Sequence, residues 1–176
     1  MYKRQSNDCP IERWPDDPTW TSVVRPDAAG RDVDLARTAG PAEPIVGESK
    51  QVWITAESLA PDDPALAARP DLPAIFVFDR PLLERLRLSA KRLVFLVETL
   101  AEIAEHRPLE LVLGEPATVL AGRRVAVTFA PVPGFRRIAH VIEPTEVHPA
   151  RWLARPHAGS ISSFSAWRKR IGPLPG

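Results

Sequence analysis

Apolar residues occur in short continuous runs along the middle of the chain, and polar turn residues separate these runs. Val52–Ile54 and Ala74–Phe78 are such runs, which are typical of strands buried on both faces of a parallel sheet. Further runs predict strands at Leu109–Leu113 and Val125–Phe129, and a fifth short strand within Ile142–Val147.

Segments with helical character lie between the predicted strands. Pro64 suits the first position of a short helix that continues to Ala68, and Pro81–Leu86 predicts a second short helix. Ser89 is a plausible N-cap for a long helix that ends near His106. An apolar stripe at helical spacing predicts that this helix is well covered by the rest of the domain: Leu93, Val94, Val97, Leu100, Ala101 and Ala104, widened by Leu96 and Ile103.

Two further helical segments complete the alternation of strands and helices. Glu115–Leu120 predicts a short helix and Arg136–His140 a helical turn, after a loop at Ala130–Phe135. Strands that alternate with helices through short loops indicate right-handed βαβ units. The predicted fold is therefore α/β: an open Rossmann-like sheet of about five mainly parallel strands, with helices on both faces and an extended N-terminal arm.

Three regions are predicted from the change in pattern along the chain. Residues 1–49 are rich in Pro, Asp, Arg, Gly and Ala and bury too little apolar area to offset the entropy of ordering, so we expect an extended, disordered arm. Residues 50–155 hold the α/β domain, and residues 156–176 form a basic tail. Trp14 and Trp20 within the arm either cover an apolar patch of the domain or anchor a partner.

Composition narrows the class of protein. The 176 residues are 44% hydrophobic with a net charge of +1, which suits one globular domain and does not by itself imply a nucleic-acid or membrane partner. Cys9 is the single cysteine, so neither an internal disulfide nor a multi-cysteine metal site can form. The N-terminus lacks the apolar core of a signal peptide, and no apolar run approaches bilayer length. We expect a soluble, cytoplasmic protein.

Recognisable catalytic and phosphate-binding motifs are missing from the sequence. There is no Gly-x-Gly-x-x-Gly or Walker-type loop, and no Gly-x-Ser-x-Gly nucleophile elbow. His106, His140, His148 and His157 have no close partner at metal-ligand spacing. We therefore name no catalytic residue and no metal ligand, and we do not expect the chain to be an enzyme by itself.

Candidate ligand contacts follow from position alone. Open α/β sheets bind ligands beyond the carboxyl ends of their strands, which here points to Asp79, Glu115 and Phe129. For Asp79 the alternative is the cap of the following helix. For Glu115 it is stabilisation of the first turn of a helix.

Positive charge gathers toward the C-terminus. From Ala121 onward there are nine Arg or Lys residues against two acids, Glu143 and Glu146. Cations mixed with hydroxyl groups and aromatic rings can bind phosphate and stack on bases; the alternative is a solvated tail with Trp167 packed on the domain. The candidate nucleic-acid contacts are Arg136, Arg137, Arg151, Trp167, Arg168, Lys169 and Arg170.

Several motifs, in order along residues 52–167, resemble the N-terminal α/β domain of the photolyase/cryptochrome family. Asp62–Leu66 is similar to the family's Asp-Asn-Pro-Ala-Leu turn, and Phe76–Asp79 to its Val-Phe-x-x-Asp strand end. Phe95–Glu102 is similar to its Phe-Leu-x-Glu-Ser-Leu-x-Asp helix, and Leu111–Pro116 to its strand followed by Gly-Asp-Pro. Fainter similarities lie at 131–137 and 163–169.

The clearest departure from the family lies after the first strand. Thr55–Ala60 stands where the family has an Arg-Asp-Leu-Arg segment, whose arginines help to join the α/β domain to the helical flavin domain. No such helical domain follows within these 176 residues.

The resemblance carries several expectations about function. In the family this domain can hold an antenna pigment, a folate or a deazaflavin, whereas flavin, substrate DNA and the electron-transfer tryptophans belong mainly to the helical domain. It thus implies a binding or accessory module related to DNA photolyase, with FAD not expected. A separate flavin-containing photolyase-like protein is one implied partner, and the alternative function is nucleic-acid binding through the basic C-terminal segment.

Overall fold

The computed structural model describes residues 39–86, 88–156 and 164–171, except for the side chains of residues 133, 164 and 166. Five strands form one parallel sheet: β1 (Gln51–Ile54), β2 (Ala74–Asp79), β3 (Leu109–Gly114), β4 (Val125–Thr128) and β5 (Glu146–His148). The predicted α/β class and parallel sheet are confirmed.

Helices occupy the connections between the strands. They are α1 (Pro64–Ala68), α2 (Arg80–Leu86), α3 (Ala90–Ala104), α4 (Pro116–Val119) and α5 (Pro133–Ile142), and α6 (Phe164–Arg170) follows the domain. The helix predicted as a turn at 136–140 is longer than expected. Pro133 begins it, because proline lacks an amide proton and fits a first turn where that proton would have no helical acceptor.

The strand order is β3-β2-β1-β4-β5. The chain therefore moves outward from β1 to β3, returns to the centre for β4, and continues to β5 on the other side. Alternate side chains of the central strands point to opposite faces, and each face has its own core. On one face α1 and α3 pack on a core that contains Ile54 and Phe76; on the other, α4 and α5 pack on a core that contains Trp53 and Val127.

The two edges of the sheet differ. At the β5 edge, Ile45 pairs with Val147 in an antiparallel bridge, with both N···O distances 2.9 Å. Residues 39–49, called here the strap, thus lie against the domain, although the sequence analysis assigns them to the arm. Trp152 and Arg155 hold the start of the strap by donating to the carbonyl oxygens of residues 39–41.

The prediction that the rest of the domain covers the apolar stripe of α3 is confirmed only in part. Leu100 and Ile103 are buried and Leu96 is partly buried, but Leu93, Val94 and Val97 are exposed although they belong to the same apolar stripe. Among the described residues, no neighbouring element covers this flank of the helix. No helix in the described part of the chain is both long and apolar enough to cross a membrane.

Candidate functional site

A cleft opens where the strand order reverses. The chain leaves β1 toward one face of the sheet and leaves β4 toward the other, so the carboxyl ends of these adjacent strands diverge, as in other doubly wound sheets. The cleft has a volume of about 310 Å³. Its walls are the loop after β1 (57–60 and 62–64), the end of β4 (128–131) and the segment after β5 (150–152). We call it the switch cleft.

Asp63 is a buried acid that lines this cleft, and its side chain caps α1. One carboxylate oxygen, Oδ1, accepts from the backbone N–H groups of Ala65 (2.9 Å) and Leu66 (3.0 Å), and Pro64 occupies the first turn. Thr128 Oγ1 also accepts from the Ala65 N–H, at 3.0 Å, which ties α1 to the end of β4. Asp63 is 4% exposed.

The second oxygen of Asp63, Oδ2, has no hydrogen-bond partner among the residues described. Buried polar atoms are nearly always paired, since leaving one unpaired costs about 1–3 kcal/mol. Asp63 lines the switch cleft, but Oδ2 itself is shielded from solvent, so a ligand N–H or O–H group would reach it only after a local shift of the loop that carries Asp63.

The electrostatic character of the cleft follows from four charged side chains. Glu57, Asp62 and Asp63 carry negative charge and Arg151 carries positive charge. Arg151 pairs with Asp62 at the rim, where both side chains are exposed. The acids outnumber the cations, so the cleft favours neutral or cationic groups over phosphates. Trp152 adds an aromatic wall.

A second, more apolar hollow lies at the carboxyl ends of β1 and β2. Its volume is about 170 Å³, and it extends beneath α2 and the start of α5. Trp53, Phe78 and Phe135 contribute aromatic surface, and Asp79 and Arg137 add charge at its border. Glu57 lines both this hollow and the switch cleft, so the loop after β1 separates the two spaces.

The three predicted cofactor contacts do not come together. Asp79 and Glu115 border a third hollow, of about 150 Å³, with Arg137. Phe129 lies in the switch cleft on the other side of β1, and its ring packs edge-on against Phe135 with centroids 5.5 Å apart. Phe129 is 9% exposed, so its ring belongs mainly to the core.

Both acids make a local hydrogen bond at the start of a helix. Asp79 Oδ1 accepts from the backbone N–H of Leu82 at 2.9 Å, which caps α2. Glu115 precedes α4 with an exposed side chain that accepts from the Thr118 hydroxyl group at 3.2 Å. The capping interpretation of Asp79 is confirmed.

The predicted nucleic-acid contacts occupy three separate elements. Arg136 and Arg137 lie on α5 with exposed side chains, Arg151 follows β5 and pairs with Asp62, and α6 carries the rest. Arg168, Lys169 and Arg170 form the last turn of α6 and are exposed, whereas Trp167 is half-buried.

A buried charged network was missed by the sequence analysis. Glu146 is 1% exposed, at the start of β5. Its carboxylate accepts from Arg69 Nε at 3.0 and 3.1 Å and from Arg69 Nη2 at 2.8 Å, and His148 Nε2 lies 2.6 Å from Oε1. Burial raises the pKa of the Glu146 carboxyl group, but the hydrogen bonds from Arg69 and His148 outweigh burial and hold that pKa below 4.5.

Arg69 follows the last residue of α1 and Glu146 begins β5, so both lie toward the amino ends of the strands. His148 lies at the other end of β5, paired in register with Thr128 of the switch cleft. No group of three or more His, Cys, Asp or Glu side chains is placed to hold a metal ion in the ranges described. Cys9, Trp14, Trp20 and His157 lie outside those ranges.

No protein-family model, curated protein or solved structure matches this chain. The resemblance to the photolyase family therefore stays a prediction from the sequence motifs.

Proposed function

We propose that this chain is a photolyase-like α/β domain that binds a small ligand in the switch cleft and serves as a binding or accessory module related to DNA photolyase. The observation that carries the proposal is the buried, unpaired Oδ2 atom of Asp63, a residue that lines the cleft at the reversal of strand order. That position is where doubly wound sheets bind their ligands.

The chemistry of the cleft narrows the ligand class. Asp63 requires a donor, N–H or O–H, and the acidic lining disfavours a phosphate group at the same point. Trp152 offers an aromatic surface for a flat ring. An uncharged ring system with N–H or O–H groups meets these requirements. The pterin ring of a folate, one of the two pigments implied by the sequence resemblance, belongs to that class, whereas a deazaflavin ring that carries an acidic hydroxyl group fits it less well.

The first experiment is an absorbance spectrum of natively purified protein, with mass spectrometry of whatever it releases on denaturation. The apoprotein is then titrated with a reduced folate and with 8-hydroxy-5-deazaflavin, and binding is followed by fluorescence. We expect one of them to bind in the micromolar range or tighter. A colourless protein that binds neither compound would refute the pigment proposal.

A matched pair of variants locates the site. Asp63→Asn keeps the Oδ1 acceptor that caps α1 but replaces Oδ2 with an NH₂ donor, so we expect ligand affinity to fall about tenfold or more. Asp79→Asn changes the cap of α2 outside the switch cleft and should leave affinity unchanged. Equal losses in both variants would place the ligand elsewhere.

A second function, nucleic-acid binding, is favoured by exposed cations at positions 136, 137 and 168–170. Such binding should weaken steeply with salt, because each neutralised phosphate releases counterions. Removal of residues 160–176 should abolish it. Affinity that survives both high salt and this truncation would exclude the C-terminal segment as the binding element.

A further inference from the structure

β3 is the open edge of the sheet. Within the described ranges it pairs only with β2, in a register that runs from Ala74–Leu109 to Asp79–Gly114. The opposite edge, β5, is paired with Ile45 of the strap. An uncovered edge strand presents a row of N–H and C=O groups that a further strand can join.

The β3 edge also has an uncovered apolar face. Leu111 and Leu113 are each 55% exposed. They pair in register with Phe76 and Phe78 and so point to the same face of the sheet as those rings, the face on which α3 lies. Parallel sheets are normally covered on both faces, so this part of the sheet lacks the layer that covers the rest.

The exposed flank of α3 borders the same surface. Successive helical residues advance by about 100°, which places Leu93, Val94 and Val97 to one side of the buried line through Leu100 and Ile103. Because βαβ crossovers are right-handed, this side of α3 is the one that faces β3. The leucines of β3 and this flank of α3, together called here the β3 face, form an exposed apolar surface of the kind that marks an interaction site.

Charge does not protect this edge against pairing. Glu110 is the one charged residue in β3, and it lies on the opposite face of the strand from Leu111. Arg123 neutralises it through two hydrogen bonds, of 2.7 and 3.2 Å. Edge strands often avoid association by presenting a solvated charge. Here the negative charge of Glu110 in β3 is balanced by the positive charge of Arg123.

We propose that the β3 face is a homodimer interface, in which the β3 strands of two copies pair antiparallel about a two-fold axis and join the two sheets into one. A two-fold axis perpendicular to the sheet at Leu111 places Leu109 opposite Leu113 of the second copy and Glu110 opposite Val112. The leucines then share one face, and the two carboxylates do not meet. A single self-complementary patch is what an isologous dimer requires.

The second copy also supplies the missing layer. With strands about 4.8 Å apart, the two α3 helices come to lie roughly 10–14 Å apart across the new seam, with Leu93 and Val97 of both copies between them. In this arrangement the exposed apolar side chains and the edge backbone would be buried together, which an interface of standard size, about 800 Å² from each partner, requires.

The test is sedimentation velocity on the full chain from low to high micromolar concentration. We expect a species of twice the 19.4 kDa chain mass that dissociates on dilution. Leu111→Lys places a charge in the seam and should weaken dimerisation by roughly 100-fold. Leu153→Lys is the matched control, since Leu153 is exposed outside the β3 face, and it should sediment as the wild type does.

Folding is checked separately by circular dichroism and chemical denaturation. If Leu111→Lys is unfolded, Val97→Lys on the α3 flank tests the same face from a residue that is 55% exposed. A wild-type chain that stays monomeric at every concentration, or folded variants that dimerise as well as the wild type, would overturn the proposal and leave the face to another occupant.

Discussion

Gly40 lies against the ring of Phe129: a Cβ atom at position 40 would come within 2.4 Å of ring carbons Cγ and Cδ1. The same glycine has φ of +71°, in the left-handed region that side chains disfavour. Phe129 packs in turn on Phe135, which stacks on Trp53. The start of the strap therefore rests directly on the core of the domain, and space and backbone angle both require glycine.

Gly40→Ala should lower the free energy of unfolding by about 2–4 kcal/mol, because it combines a left-handed alanine with an overlap that the buried ring cannot easily relieve. Gly122→Ala is the matched control: its φ is +70°, but an added Cβ meets no atom within 4 Å. We expect a loss of about 1 kcal/mol there. Urea denaturation of both variants measures the difference, and equal losses would mean that the contact with Phe129 contributes nothing.

Glu146→Gln should destabilise the protein by about 1–3 kcal/mol near neutral pH, since glutamine cannot offer Arg69 and His148 two charged acceptor oxygens in a buried site. Glu110→Gln removes an exposed carboxylate paired with Arg123 and should cost less than about 1 kcal/mol. Similar losses in the two variants would contradict the stabilising role of the buried network.

The same carboxyl group gives a pH dependence with a definite sign. The pKa of Glu146 is lower in the folded protein than its ordinary value of 4.5. The charged form therefore stabilises the fold above about pH 4.5, and this contribution is lost as the pH falls through the folded pKa. The difference in stability between wild type and Glu146→Gln should shrink below that pH. A difference that stays constant from neutral to acidic pH would refute the assignment.

Arg155→Ala should loosen the strap without unfolding the sheet. Arg155 donates to the carbonyl oxygens of Gly40 and Pro41, at 2.7 and 3.1 Å. We expect backbone amides of residues 42–47 to exchange about tenfold faster with solvent, while those of β1 and β2 keep their protection. Arg151→Ala removes an arginine that pairs with Asp62 instead, and should leave strap exchange unchanged.

Much of the fold follows from local patterns in the sequence. The apolar runs at 52–54, 74–78 and 125–129 predict strands because a buried parallel strand has no polar face to interrupt the run. Asp79 is likewise predictable as a cap, since Leu82 lies only three residues away. These features depend on neighbours along the chain, which the sequence displays directly.

Features that depend on distant neighbours were not predictable. The apolar stripe on α3 shows that the helix has a wide hydrophobic surface, but not that the elements beside it leave Val97 uncovered. Asp63 is visible as part of a proline turn, whereas its unpaired oxygen depends on how the loops after β1 and β4 meet. Arg69 and Glu146 are 77 residues apart, and neither has a sequence signal that points to the other.

The strap has a consequence for the order in which the chain can fold during synthesis. The indole N–H of Trp152 donates to the carbonyl oxygen of Ala39, a residue 113 positions earlier in the chain. Ile45 likewise has no strand to pair with until β5 has left the ribosome. The strap is thus among the last segments to pack on the domain, and until then the β5 edge of the sheet has no pairing partner. Slow translation of the final third would extend the interval in which a nascent chain is vulnerable to aggregation.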